Sequence, residues 1–158
     1  MIVVADSGPP HYLILIGQIE LLRRFYTQVA IPEAVADELR AARSPAMVKS
    51  WIARPPDWVV ITSVPPEQIE SITDDLDLGE RAAIALATTL HADLLLIDDA
   101  AGRIESARRN LRVTGTLGVL RAAAEQGILD VPNTLSKLKA TNFYVVDDLL
   151  RAIFERWL

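Results

Sequence analysis

The 158-residue chain contains no cysteine, and that absence removes several kinds of chemistry at once. A disulfide framework, a thiolate nucleophile and cysteine-ligated zinc or iron–sulfur centres are all excluded. Histidine is nearly as scarce, with only His11 and His91, too few for a histidine-rich metal site. Any metal must then be bound mainly through oxygen, which selects hard ions such as Mg²⁺ or Mn²⁺. No apolar run approaches the roughly 20 residues needed to cross a bilayer, so no membrane partner is expected. The opening Met1-Ile2-Val3-Val4-Ala5-Asp6 has neither the basic start nor the cleavage site of a signal peptide. It reads as a strand of the mature fold, and the cytoplasm is the expected compartment. An excess of positive charge is missing too. The net charge is −5, the wrong sign for a module that grips nucleic acid through a broad basic face. An acidic chain still acts on a polyanion when its carboxylates surround divalent ions, which invert the local field.

What remains is globular: 51% of the residues are apolar and 23% charged, enough to fill the core of one domain over residues 1–158. Short apolar runs alternate with helical patterns. Ile2–Ala5, Gln28–Ile31, Trp58–Thr62, Asp93–Ile97 and Arg112–Thr114 read as strands. Between them the spacing predicts a helix from Tyr12 to Tyr26, broken near Gly17, and one opening on Pro32 and reaching Ala41. A further helix runs from Pro45 to Arg54 with Ser44 as its cap, and others cover Pro65–Ile72, Gly79–Leu90, Ala100–Asn110 and Thr116–Gln126. Pro132–Ala140 and Asp147–Trp157 close the chain as helices, with Tyr144–Val146 extended between them. This βαβα alternation predicts an α/β fold with a parallel sheet between helices. Ligands then bind outside the carboxyl ends of the strands.

Two apolar strands deliver acids to that edge: Asp6 follows the first, and Asp98-Asp99 follow Leu94-Leu95-Leu96-Ile97. A single Asp after a strand more often caps a turn; two on one edge point to a site. Glu38 flanks the stripe formed by Ile31, Val35 and Leu39, where an unpaired carboxylate is badly solvated. Glu80 shares a helix face with Ala83, Ile84 and Ala87. It also completes a capping box with Asp77, and capping and metal work need not exclude each other. Several carboxylates gathered within a few ångströms raise one another's pKa unless a cation joins them. Ser7 and Gly8 leave room for metal or substrate beside the backbone. Arg103, Arg108, Arg109 and Arg112 could steer a nucleic-acid backbone or merely form a solvated face, and Arg81 could pair with a carboxylate or contact phosphate. Trp51, Trp58 and Trp157 read as core or dimer contacts, not base-stacking platforms.

In order along the chain, these positions resemble the PIN domain. The likeness lies in Val3-Val4-Ala5-Asp6-Ser7-Gly8-Pro9, Ile31-Pro32-Glu33-Ala34-Val35-Ala36-Asp37-Glu38-Leu39 and Leu78-Gly79-Glu80-Arg81-Ala82-Ala83. It continues through Ala92-Asp93-Leu94-Leu95-Leu96-Ile97-Asp98-Asp99 and Val113-Thr114-Gly115-Thr116-Leu117-Gly118. Within that superfamily the chain is similar to a prokaryotic branch related to VapC-type toxins. The resemblance implies a three-layer α/β/α sandwich and a Mg²⁺- or Mn²⁺-dependent endoribonuclease. It places the metal-binding acids on Asp6, Glu38, Glu80 and Asp98, with Asp99 as neighbour or substitute. Ser7 falls on a hydroxyl position that helps order metal or water; Arg81 and Arg103 are weaker substrate candidates, read from the residues themselves and not from the resemblance. Two departures stand out: Pro9-Pro10-His11 replaces the more usual Pro-Leu-Ile, and Glu80 stands where many toxins carry Asp. The implied partners are RNA, a small antitoxin and a second copy of the chain. A rival expectation is a catalytically weak PIN-like module that binds RNA or protein. A Mg²⁺ phosphatase is disfavoured, because no Asp-x-Asp follows the first strand.

Overall fold

A computed structural model describes all residues, Met1–Leu158. Five parallel strands form the sheet: β1 (Val3–Ala5), β2 (Val29–Pro32), β3 (Val59–Thr62), β4 (Leu94–Leu96) and β5 (Val113–Thr114). Their order across it is β3-β2-β1-β4-β5. The helices are α1 (Gly8–Leu15), α2 (Glu20–Phe25), α3 (Glu33–Arg40), α4 (Ala46–Ala53), α5 (Pro66–Glu70), α6 (Leu78–Leu90), α7 (Ala100–Arg108), α8 (Thr116–Glu125), α9 (Val131–Lys139) and α10 (Asp147–Phe154). A 3₁₀ turn, Glu155–Trp157, ends the chain.

Strand periodicity explains the layers. Val3, Ala5 and Leu96 point into one apolar cluster, which α1–α4 and α8–α10 complete. Val4, Leu95 and Ile97, the alternate positions, point into a second cluster filled mainly by α6. A strand buried on both faces has no use for a polar residue, hence the unbroken apolar runs. The sheet is therefore covered on both sides, giving the α/β sandwich expected. No helix is long and apolar enough to cross a membrane.

The chain lays down β1, β2 and β3 outward in one direction, then crosses back to place β4 and β5 on the other side of β1. The connections diverge between β1 and β4, which makes that pair the switch point where such sheets bind ligands. Register holds the pair together, Val3, Val4 and Ala5 facing Leu94, Leu95 and Leu96. The ladder extends one residue beyond, because the Asp6 N–H donates to the Leu96 carbonyl at 2.9 Å.

Several local expectations need correction. The first helix begins at Gly8, not Tyr12, because Pro9 and Pro10 are accepted in an opening turn where N–H groups have no partner. Pro32 ends β2 and precedes α3 instead of lying inside it. Ser44 caps nothing: its hydroxyl donates to the Glu38 carbonyl at 3.0 Å, and Pro45 precedes α4. Tyr144–Val146 joins no strand, leaving a bare segment between α9 and α10. His91 is exposed in a left-handed conformation, φ 50°, and not buried on the face of α6. All three tryptophans pack on the larger core, as expected.

Leu95 is fully buried and Val60 is 39% exposed, so the two test the layering. Leu95→Ala should lower stability by about 2–5 kcal/mol. Val60→Ala should change it by less than about 1 kcal/mol. Urea denaturation checks both.

Candidate functional site

Asp6 and Asp98 stand at the carboxyl ends of β1 and β4, either side of the switch point. Asp6 is fixed by the ladder bond of its own N–H, and its side chain is almost wholly buried. Asp98 is fixed through both carboxylate oxygens. Oδ1 accepts from the Thr116 N–H and Oδ2 from the Thr116 hydroxyl, each at 2.7 Å. Thr116 opens α8 and is itself fully buried, so the clamp is rigid. Glu38, half-buried on α3, reaches over α6 at Gly79, where a Cβ would collide with its carboxylate. Gly115 does the same under Asp98. These glycines pack beneath the chain's own acids.

Glu80 departs from this group. Its N–H donates to Asp77 Oδ1 at 2.8 Å, as the capping expectation required. Its half-buried carboxyl meets Asp77 and Asp99 and faces α7 near Gly102. Asp77, read from sequence only as a cap, also presses electrostatically on Asp6 and Glu38. It links the two halves of the cluster: Asp6, Glu38 and Asp98 on one side, Glu80 and Asp99 on the other. Asp99 is exposed and caps α7, its Oδ2 accepting from the Gly102 N–H at 2.8 Å.

The electrostatics are one-sided. Burial pushes the Asp6 carboxyl up to about 7, and Glu38, Asp77 and Asp98 push the same way against the Ser7 amide. Burial also raises Glu38, with Asp77 adding to it while the Ser7 hydroxyl, the Gly79 amide and Arg43 oppose. Glu80 is driven to about 9 by burial and by its neighbours Asp77 and Asp99. Asp98 is raised by burial despite Thr116 and Arg103. Desolvation leads in every case; repulsion between acids, the cause anticipated from sequence, adds to it at Asp6, Glu38 and Glu80 and is not among the causes at Asp98. None of the chain's ion pairs includes any of these acids.

Of the arginines anticipated near substrate, Arg103 reaches the site, with Nη1 close over Gly115 and a favourable pull on Asp98. Arg108 and Arg109 are taken by Glu105, at 3.6 and 2.9 Å. Arg81 is half-buried on α6, and its Nε is buried without a hydrogen-bond partner. His11 stacks edge-on against Tyr12 at 4.7 Å, its pKa lowered by burial. Sequence reasoning missed Thr116, the second role of Asp77, and an aromatic wall beside Asp98 built from Tyr12, Phe143 and Tyr144.

The donor set suits a hard divalent ion. It is all oxygen, none of its acids forms an ion pair with a protein cation, and Asp6 Oδ1 is buried with no hydrogen-bond partner. No three of the acids converge closely enough to enclose an ion by themselves. An ion held here would need water to complete its shell, as Mg²⁺ normally does.

A doubly covered parallel sheet with buried acids at its switch point defines an α/β protein with an acidic cluster where such sheets bind ligands. The chain belongs to the PIN-domain family: the family model DUF3368, described as a PIN domain, matches residues 2–157. PIN domains are, as a class, metal-dependent nucleases. No curated protein matches the sequence.

The raised carboxyls set a pH dependence. Asp6 holds its proton to about pH 7 when folded and only to about pH 3.9 when unfolded. Its stabilising contribution is therefore complete below about pH 4 and is lost as pH rises through 7. In EDTA, stability should fall across that window, and Asp6→Asn should flatten the fall. Mg²⁺ at 100 times its dissociation constant should restore about 2.7 kcal/mol at pH 8 and much less at pH 5. Thermal melts with and without Mg²⁺ check all three.

Proposed function

We propose that the chain is a metal-dependent endoribonuclease, hydrolysing a phosphodiester with a metal-activated water. The observation that carries this reading is a group of buried and half-buried carboxyls at the switch point, all held toward protonation and none in an ion pair. Asp6, Glu38 and Asp98 hold Mg²⁺ or Mn²⁺. Glu80 and Asp99 complete the outer side, directly or through water. A divalent ion bound there supplies an activated water and neutralises charge on the phosphoryl oxygens and leaving group. The chain's own contribution is placement. Thr116 locks the Asp98 carboxylate, the Ser7 hydroxyl steadies Glu38, and the buried position of Asp6 keeps bulk water from screening its charge. Arg103 is placed to meet the phosphate, and Arg81 is a weaker candidate for the same task.

The likeness to VapC-type toxins extends the proposal to the toxin of a toxin–antitoxin pair. Such a toxin would act in the cytoplasm, as a homodimer restrained by a small antitoxin; sequence resemblance alone supports this extension. The second reading, a binding module with little catalysis, is favoured by the failure of any three acids to close on one point.

Purified protein with Mn²⁺ should cleave single-stranded RNA, and EDTA should stop it. Asp6→Asn should lower the rate more than about 100-fold. Thr116→Val, which keeps the shape and removes the hydroxyl, should weaken metal affinity by about 10–100-fold, the usual cost of losing a group that orients a ligand. Binding of RNA by wild type without any metal-dependent cleavage would favour the binding module.

Gly79→Ala separates site from fold. A helical Gly→Ala change ordinarily stabilises by about 0.5–1 kcal/mol. Here the added methyl meets the flexible end of Glu38, which can swing away. The melting temperature should hold or rise while Mn²⁺ affinity and cleavage fall together.

A further inference from the structure

A cleft of about 480 Å³ opens beside Asp98, lined by Tyr12, Arg103, Leu117, Phe143, Tyr144 and Leu149 among others. Its volume falls within the range of small-ligand sites, about 300–1,000 Å³. Its lining combines the acids Asp98 and Asp99 with aromatic and apolar residues.

The aromatic wall is built in two parts. Tyr12 and Phe143 are locked: their rings meet edge to face at 4.9 Å, and the Tyr12 hydroxyl donates to Asn142 Oδ1 at 3.0 Å. That bond ties the segment between α9 and α10 to α1, 130 positions earlier in the chain. Tyr144 is the opposite, with 89% of its surface exposed and no ring packed against it. A large aromatic lining the cleft with its ring uncovered offers a face on which a planar group can stack.

Arg103 supplies the second feature. It is the one cationic residue lining the cleft, it joins no ion pair, and it sits between Gly115 and Asp98. An aromatic and apolar wall, a guanidinium outside any ion pair and neighbouring acids, together in one cleft, match a base and its adjoining phosphate. An acidic peptide would be repelled by Asp98 and Asp99, and a lipid chain would leave Arg103 unused.

We infer that this cleft is a nucleobase subsite, in which one unpaired base of the substrate strand stacks on Tyr144 against the Tyr12–Phe143 wall while Arg103 takes the adjoining phosphate. The inference rests on the nuclease reading for its substrate class and adds where the strand is gripped. A base paired in a duplex cannot enter, so the subsite selects single strands, loops or splayed ends.

The test measures binding apart from cleavage. In the full chain carrying Asp6→Asn, with Mg²⁺ present, a ten-nucleotide RNA bearing 2-aminopurine is titrated and followed by anisotropy and by base fluorescence. Tyr144→Ala should weaken binding by roughly 5- to 100-fold, the usual range for removing one base–aromatic stack, and should abolish quenching of the base. Tyr144→Phe should keep both, since stacking needs the ring and not the hydroxyl. A duplex of the same sequence should bind weakly, and Tyr144→Ala should leave that binding unchanged. Equal single-strand affinity and quenching for wild-type Tyr144 and Tyr144→Ala would overturn the inference, as would an absence of single-strand binding. A shift from dimer to monomer on Tyr144→Ala, with RNA affinity unchanged, would overturn it too and make the face a contact between copies. Tyr144-dependent binding without Mn²⁺-dependent cleavage by the unsubstituted chain would retain the subsite and remove the nuclease.

Discussion

The buried, uncompensated negative charge at the junction of β1 and β4 is the constraint on which the rest of the structure turns. Asp6 lies among strands whose neighbouring residues are completely apolar. An ionised carboxylate there is costly without a partner, and no protein cation provides one. The backbone nonetheless leaves it no alternative position, because its N–H continues the ladder to Leu96. Proteins retain such unfavourable arrangements where a function needs them, and a strongly shifted carboxyl in a cleft is a recognised mark of a site. The two cores on either side of the sheet supply the apolar burial that lets the fold tolerate it.

What could be read in the sequence and what could not divide along the range of the interactions. Asp6 and Asp98 were legible because each directly follows a run of residues buried on both faces, and strand direction alone then puts them on one edge. Glu38 was legible as a carboxylate beside an apolar helical stripe. Glu80 was only half legible. Its place in the first turn of a helix was clear, but the direction of its side chain, toward Asp99 and Gly102 and away from Asp6, depends on how α6 crosses α7. The Thr116 clamp needs β4 and β5 to be adjacent, and no periodicity in either segment announces that. The aromatic wall is the extreme case: Tyr12 meets Phe143 across nearly the whole chain, and Tyr144–Val146, read as extended, joins no strand that would have placed it. Attention to the tryptophans was a natural consequence of composition, yet they serve the core.

The boundary corrections share a local cause. Pro9 and Pro10 look like helix breakers and instead occupy the opening turn of α1, bringing Gly8 close enough to Asp98 that a Cβ there would stand 2.9 Å from Oδ2. Ser44 looks like a cap and instead donates back to the Glu38 carbonyl, helping to fasten the end of α3. In both places a residue with a strong generic preference is used for something that bears on an acid of the site. Propensity is a weak prior, and tertiary demands override it first where the chain must position a side chain.

The helices give the cluster its remaining support. α1, α6, α7 and α8 all begin at the carboxyl edge of the sheet, so the positive ends of four peptide dipoles surround the acids. Two of the acids, Asp77 and Asp99, each commit one oxygen to a cap, and Asp98 commits both of its oxygens to the start of α8. These bonds favour ionised carboxylates and hold them in place, yet dipoles on short helices are worth about 0.3–1 kcal/mol each near the surface. That is too little to offset desolvation at a position as buried as Asp6. Glu80 shows the consequence: burial first, and then its neighbours Asp77 and Asp99, hold its carboxyl toward protonation. The capping that makes the helices start where they do also fixes the field that a divalent ion must answer. Fold and site thus draw on the same few hydrogen bonds, and an ion that binds here would offset the desolvation that the helix starts only partly relieve.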